Sequence, residues 1–274
     1  MALRPATPAE IAALSLEALN DDAVGSVEAL VAYAAAASWK VQVSPEGDAV
    51  VFDRWREHLD WLSMRAVWAA PARMPGMVAG ARAVAREHGF GSVMSPLVAT
   101  ELAGPYERAG MKIATRLAVL RRDISDADAI KPPLAAPEGM TLREGSRDSI
   151  AAVLAVDHAC FEPLWAYDRR LLAGYLEADR FVEACATDGE LVGFTLTGVE
   201  AGQGSLGRLA VAPALRRQGL GTILVEDAIR ALAWQGVGYV TLTTQVENAA
   251  ARALYASCGF YELPGTLVAL TIEA

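Results

Sequence analysis

Arg216-Arg217-Gln218-Gly219-Leu220-Gly221 sets two guanidinium groups beside two glycines, between a strand-like stretch at 206–211 and a helix-like stretch at 220–234. The chemistry this composition suits is pyrophosphate binding. The first N–H groups of a helix lack intrahelical acceptors and carry the positive end of its dipole. Glycine omits the Cβ that would hold a phosphate away from those amides, and arginine adds full charge. Downstream, Asn248 precedes Tyr255, and Gly259-Phe260 closes the same short segment. Asn248 can donate and accept hydrogen bonds, or cap the helix it begins. Tyr255, taken alone, reads as a core aromatic.

Strands and helices must hold these residues in place. In the second half, Ser146 can cap a helix running to about 158 and Asp168 a second through about 178. Strands at 181–187 and 191–199 flank Asp188-Gly189, a hairpin signal. A third strand at 205–211 stops at Pro213. After the glycines, Leu220, Ile223, Leu224, Ala228, Ala231 and Leu232 follow helical spacing. The segment 239–244 is β-rich, and 248–257 is a short alanine-rich helix closed by Gly259. Strands at 260–263 and 266–272 surround Pro264-Gly265.

The first half follows a similar plan. Thr7-Pro8-Ala9-Glu10 is a capping box with proline at the first helical position, and a helix follows at 26–37. Strands at 39–43 and 49–52 bracket the turn at 44–48. Val67-Trp68-Ala69-Ala70-Pro71 parallels Leu209-Ala210-Val211-Ala212-Pro213, and Tyr106 to Met111 parallels Tyr255 to Phe260. We read an internal duplication. Three prolines and a glycine between Lys131 and Gly139 interrupt helix and strand alike. They put the expected domains at 1–130 and 141–274, with a linker at 131–140.

With 274 residues, 53% of them hydrophobic, two packed domains are affordable. The net charge of −9 argues against nonspecific nucleic-acid binding. Cys160, Cys185 and Cys258 are odd in number and form no CxxC pair, so neither a disulfide framework nor a zinc site is expected. His58, His88 and His158 lack ligand spacing, and no metal is expected. No apolar run suggests a signal core or a membrane span, so the expectation is a cytoplasmic protein without membrane partners.

In order, the second half holds strand, Pro213, Arg216-x-x-Gly219-x-Gly221, helix, strand, Asn248, Tyr255 and Gly259-Phe260. This resembles the GCN5-related N-acetyltransferase (GNAT) superfamily over about residues 140–274. Arg216 to Gly221 matches its Q/R-x-x-G-x-G/A signature, and Asn248 to Phe260 its second motif. The resemblance implies an α/β (α+β) fold of two tandem GNAT-like domains, each a mixed, mostly antiparallel twisted sheet flanked by helices. It implies acetyl-CoA as co-substrate and a primary amine of a small molecule or peptide N-terminus as acceptor. The coenzyme would lie where two neighbouring strands splay apart, its pantetheine arm pairing with Leu209, Ala210 and Val211. The amides of Gln218, Gly219, Leu220, Gly221 and Thr222, with Arg216 and Arg217, would hold the pyrophosphate. Asn248 would stand near the pantetheine or thioester. A backbone N–H near Ala210 or Val211 would face the oxyanion. Tyr255 would be the general acid, since a free phenol titrates near ~10 and keeps its proton at neutral pH. The segment 161–168 and its following helix also resemble the ribosomal-protein N-terminal acetyltransferases.

An attacking amine must lose its proton to a base or a water relay. Many members carry a glutamate on the strand before the glycine turn, but 205–209 has no carboxylate. Glu200 is the nearest upstream acid, Glu183 and Asp157 are further candidates, and a water relay is the alternative. Phe161, Trp165 and Tyr167 either line the acceptor pocket or pack the core. The rival to an enzyme is a non-catalytic acyl-CoA-binding sensor or interaction module. In the first half Arg73-x-x-Gly76 remains, but Val78 replaces the final glycine and Ala99 stands at the asparagine position. A β-branched side chain there would crowd a phosphate, so this degenerate copy is expected not to bind the cofactor. Residues 202–207 fit GxGxxG but run into a strand, which makes them a hairpin loop rather than a dinucleotide site.

Overall fold

The computed structural model describes residues 2–14, 26–178, 180–200 and 202–274. They fall into two compact units, Met1–Arg116 with Thr266–Ala274, and Leu117–Gly265. The chain opens with β1 (Arg4–Pro5), α1 (Pro8–Ala12), α2 (Val27–Ala36), β2 (Val41–Val43), β3 (Ala49–Arg54) and β4 (Trp61–Trp68). Then come α3 (Met74–Glu87), β5 (Ser92–Met94), β6 (Val98–Ala99), α4 (Gly104–Arg108) and β7 (Lys112–Asp123). The capping box forms: Thr7 N–H donates to Glu10 Oε2 at 2.8 Å, and Glu10 N–H to Thr7 Oγ1 at 3.3 Å. Strands β1 to β4 are antiparallel neighbours, β5 runs parallel to β4, and Thr271 to Glu273 pair antiparallel with β5. Phe52, Leu62, Met64, Met77 and Leu270 fill the core of this unit.

The second unit repeats the order with α5 (Asp126–Ile130), β8 (Met140–Glu144), α6 (Ile150–Cys160), α7 (Arg169–Ala178), β9 (Arg180–Ala186) and β10 (Leu191–Glu200). It continues through β11 (Gln203–Val211), α8 (Leu220–Trp234), β12 (Tyr239–Gln245), α9 (Ala249–Ser257) and β13 (Tyr261–Glu273). In both copies two helices follow the first strand. Three antiparallel strands, a helix, a strand parallel to the third and a short helix then complete the pattern. Here the sheet runs β8-β9-β10-β11-β12 and is completed by Leu117 to Asp123, antiparallel to β12.

Alternation along the strands divides the two layers. Phe194 and Leu196 pack with Val153 of α6 and Leu172 of α7. On the other face Val182 and Ala184 meet Leu220 and Leu224 of α8. A Cβ at Gly193 would lie 2.9 Å from the Ala210 carbonyl oxygen, so glycine there lets the β11 backbone sit close against β10.

Two boundaries differ from the sequence expectation. The proline-bearing segment 131–140 lies inside the second unit, and the division falls after Arg116. Proline interrupts local hydrogen bonding, whereas unit membership here follows the distant strand pairs made by 117–123 and 271–273. The chain also continues as one strand through Pro264-Gly265, with Gly265 at φ +85°.

Candidate functional site

β11 stays with β10 as far as Val211, but its parallel register with β12 covers only Gly204↔Val240 and Ser205↔Thr241. The divergence coincides with an extra residue in β11. Arg208 opposes Leu196 and Leu206 opposes Thr197, leaving Gly207 between them. Such a bulge bends its strand and increases the local twist. Beyond it lies a cavity of 560 Å³ whose wall includes Leu209, Ala210 and Val211 from β11. Arg216, Arg217, Gly219, Gly221 and Thr222 line it from the loop and first turn of α8, Asn248 and Tyr255 from the α9 side, and Cys160 and Phe161 from the end of α6.

The loop has the backbone shape of an anion cradle. Arg217 and Gly219 both take left-handed conformations, at φ +67° and +85°. Left-handed residues spaced this way turn neighbouring N–H groups toward one concavity. Gly219 is the N-cap of α8, and no side chain caps the helix. Ile223 N–H reaches Gly219 O at 3.1 Å, so the amides of Leu220, Gly221 and Thr222 precede the first intrahelical bond. Arg216 folds back, its Nε donating to Val211 O at 3.2 Å. Gly221 also serves packing, because a Cβ there would sit 3.1 Å from Leu254 Cδ2 on α9. The side chain of Leu220 turns into the core, and Gln218 is exposed and outside the cavity wall.

Asn248 is the N-cap of α9, its Oδ1 accepting from Ala251 N–H at 3.1 Å, and it lines the cavity as well. Tyr255 is 8% exposed and packs against Phe260 with ring centroids 5.7 Å apart. Burial pushes its phenol above the usual tyrosine range. Its hydroxyl has no hydrogen-bond partner among the described residues.

The candidate bases lie elsewhere. Glu200 pairs with Gln203 at the hairpin end of β10 and β11, whereas the cavity lies at the Val211 end of that ladder. Glu183 is fully buried. Burial alone would raise its pKa, but hydrogen bonds from Ser149, Arg143 and the Ser146 amide hold it below the usual carboxylate range. Asp157, also fully buried, lies 2.7 Å from Arg208 and accepts from Tyr167 N–H at 2.7 Å. Arg208 stacks on Phe161 and Tyr167, 3.5 and 3.9 Å from their ring centres, and donates to Trp165 O at 2.8 Å. Phe161 packs on Arg208 and lines the cavity, while Tyr167 is buried. Sequence reasoning missed Cys160 and Arg208. The first adjoins the aromatic segment already singled out, and the second sits on β11 itself, beside its bulge.

The corresponding helix of the first unit is built differently. Arg73 at its N-cap is right-handed, and Pro75 removes one amide from the first turn. Arg73 is tied to Asp48 by two hydrogen bonds of 2.6 Å, and Val78 is 1% exposed. Among the described residues no cluster of His, Cys, Asp or Glu is placed to hold a metal ion. No helix among them is long and apolar enough to cross a membrane.

Residues 150–260 match the family model described as the Acetyltransferase (GNAT) family. The ribosomal protein bS18-alanine N-acetyltransferase of Escherichia coli K12 is 41% identical over 75 residues, 27% of this chain and 51% of that protein. A mycothiol acetyltransferase of Tsukamurella paurometabola is 32% identical over 177 residues, 57% of this chain and 59% of that protein. The chain thus spans between 51% and 59% of the length of these relatives. In fold it is similar to a tandem GNAT protein from the clavulanic acid biosynthesis pathway, with TM-score 0.71, 16% identity and coverage of 99% and 98% of the two chains. A GCN5-related N-acetyltransferase from Sphaerobacter thermophilus gives 0.67 at 20% identity, covering 99% and 95%.

Proposed function

From the premise that residues 150–260 belong to the GNAT acetyltransferase family, we propose that this chain moves an acetyl group from acetyl-CoA to a primary amine. The acceptor is a small molecule or a peptide N-terminus. One observation carries the reading: the left-handed loop at the start of α8, the open edge of β11 and the buried Tyr255 share one cavity.

The residues fit the coenzyme group by group. Acetyl-CoA supplies an acyl group already activated as a thioester. Arg216, Arg217 and the unpaired amides of the α8 first turn suit a diphosphate. Leu209, Ala210 and Val211 offer backbone groups and apolar surface to an amide-bearing arm. Asn248 keeps its Nδ2 donor after its Oδ1 caps α9. Tyr255 Oη, kept protonated by burial, is the proton donor at the reacting end.

Among the described residues no Asp, Glu or His lines the cavity. This supports water as the carrier of the acceptor's proton, and it favours an amine that is partly neutral near physiological pH. An α-amino group titrates near ~7.7–8.0, against ~10.4 for a lysine side chain. The relatives named as alanine N-acetyltransferases and mycothiol acetyltransferases support the peptide and small-molecule alternatives respectively. The same lack of a carboxylate favours the second reading, an acyl-CoA sensor. Incubation with acetyl-CoA and a panel of peptides and small amines, followed by free-thiol release, separates the two. Turnover supports the transferase, and coenzyme binding without turnover across the panel supports the sensor.

A further inference from the structure

Cys160 ends α6 with its side chain on the wall of the coenzyme cavity, half-buried, its Sγ–H donating to Val211 O at 3.2 Å. The same carbonyl accepts from Arg216 Nε at 3.2 Å, so the thiol stands beside the loop that ends in the anion cradle. Tyr255, 8% exposed and without a hydrogen-bond partner among the described residues, lines the same cavity and marks it as built for a ligand. The other two cysteines are packed away, Cys185 at 2% exposure and Cys258 at 3%.

We propose that Cys160 is a redox modification site, at which a low-molecular-weight disulfide reacts and shuts out the coenzyme. This rests on reading the cavity as the coenzyme site. The Cys160 thiolate attacks one sulfur of the disulfide. A new S–S bond forms to Sγ, the original S–S bond breaks, and the second sulfur leaves as a thiolate that takes up the proton Cys160 released. Cys160 is oxidised and the departing sulfur is reduced. The attached group then occupies space beside Leu209, Val211 and Tyr255, and a reducing thiol reverses the exchange.

The test treats the native full chain with the aromatic disulfide dithionitrobenzoate. It maps the adduct by mass spectrometry and measures the affinity for acetyl-CoA, whose sulfur is held as a thioester and cannot exchange with the adduct, by calorimetry before treatment, after it, and after dithiothreitol and its removal. Cys160 should be labelled ahead of Cys185 and Cys258, and saturating acetyl-CoA, which has no free thiol to consume the reagent, should slow labelling by about tenfold or more. The labelled protein should lose about tenfold or more in affinity, with dithiothreitol restoring it. In Cys160→Ser, the same treatment should leave coenzyme affinity where it was. Labelling of another cysteine first, unchanged affinity after labelling of Cys160, or equal loss in Cys160→Ser would overturn the proposal. If the untreated protein failed to bind acetyl-CoA, the coenzyme reading itself would fall, whichever cysteine was labelled.

Discussion

Arg217→Gly should make the protein more stable and a poorer binder of coenzyme A. Among the described residues Arg217 is the single non-glycine at positive φ, at +67°. That conformation costs an L-residue about 1–2 kcal/mol. Glycine relieves the cost but adds about 0.4–1 kcal/mol of unfolded-state entropy, leaving a net gain of about 0.5–1 kcal/mol. For a unit of this size the gain corresponds to a Tm rise of about 1–4 °C. The same change removes a charged donor from the cavity wall. A hydrogen bond to a charged group contributes about 1.5–3 kcal/mol, and the exposure of Arg217 places it at the lower end, so affinity should fall by about tenfold. Scanning calorimetry and isothermal titration read the two effects separately. Arg217→Lys retains charge and backbone strain, and should move neither by much. A lower Tm in Arg217→Gly would refute the strain argument, and unchanged affinity would refute the anion-binding role.

Tyr255→Phe should cut turnover by about 10²-fold or more while coenzyme affinity stays within about twofold; equal turnover in steady-state thiol release would remove Tyr255 from the chemistry. Arg208→Met leaves fully buried Asp157 without its cation and should cost about 3–5 kcal/mol in urea unfolding. Arg73→Ala should leave coenzyme affinity within about twofold, because that arginine is committed to Asp48 in the first unit; a large loss by calorimetry would restore a binding role to the first copy. Burial holds Tyr106 up to about 12, so above the unfolded value of ~10 the folded state retains a proton the unfolded chain has lost. Its stability contribution is therefore complete below about pH 10 and declines by about 1.4 kcal/mol per pH unit toward about 12. Urea unfolding across that window should show a shallower decline in Tyr106→Phe.

The parts of the site legible in the sequence are those set by local rules. Gly219 was readable because a left-handed N-cap favours glycine, and Asn248 because a helix start favours a short polar acceptor. Asp168 was readable for the same reason, and its Oδ1 accepts from Leu171 N–H at 2.8 Å. The 3.6-residue pattern of Leu220, Leu224, Ala228 and Leu232 named the buried face of α8. What escaped depends on distant pairing. No local signal tells 117–123 to join β12, or 271–273 to join β5, so the proline-rich seam attracted the boundary instead. Glu200 was close to the glycine loop in sequence but far along an extended ladder, where each residue adds about 3.3 Å. Cys160 and Arg208 reach their places through α6 packing across β11, a contact 51 residues apart for Arg208 and Asp157.

Calorimetric titration of coenzyme A and of pantetheine, which lacks the diphosphate, tests the central claim most directly. If the first-turn amides of α8 and the two arginines hold a diphosphate, coenzyme A should bind and pantetheine should bind weaker by about 10²-fold or more. Equal affinity for the two, or no association with either, would contradict it.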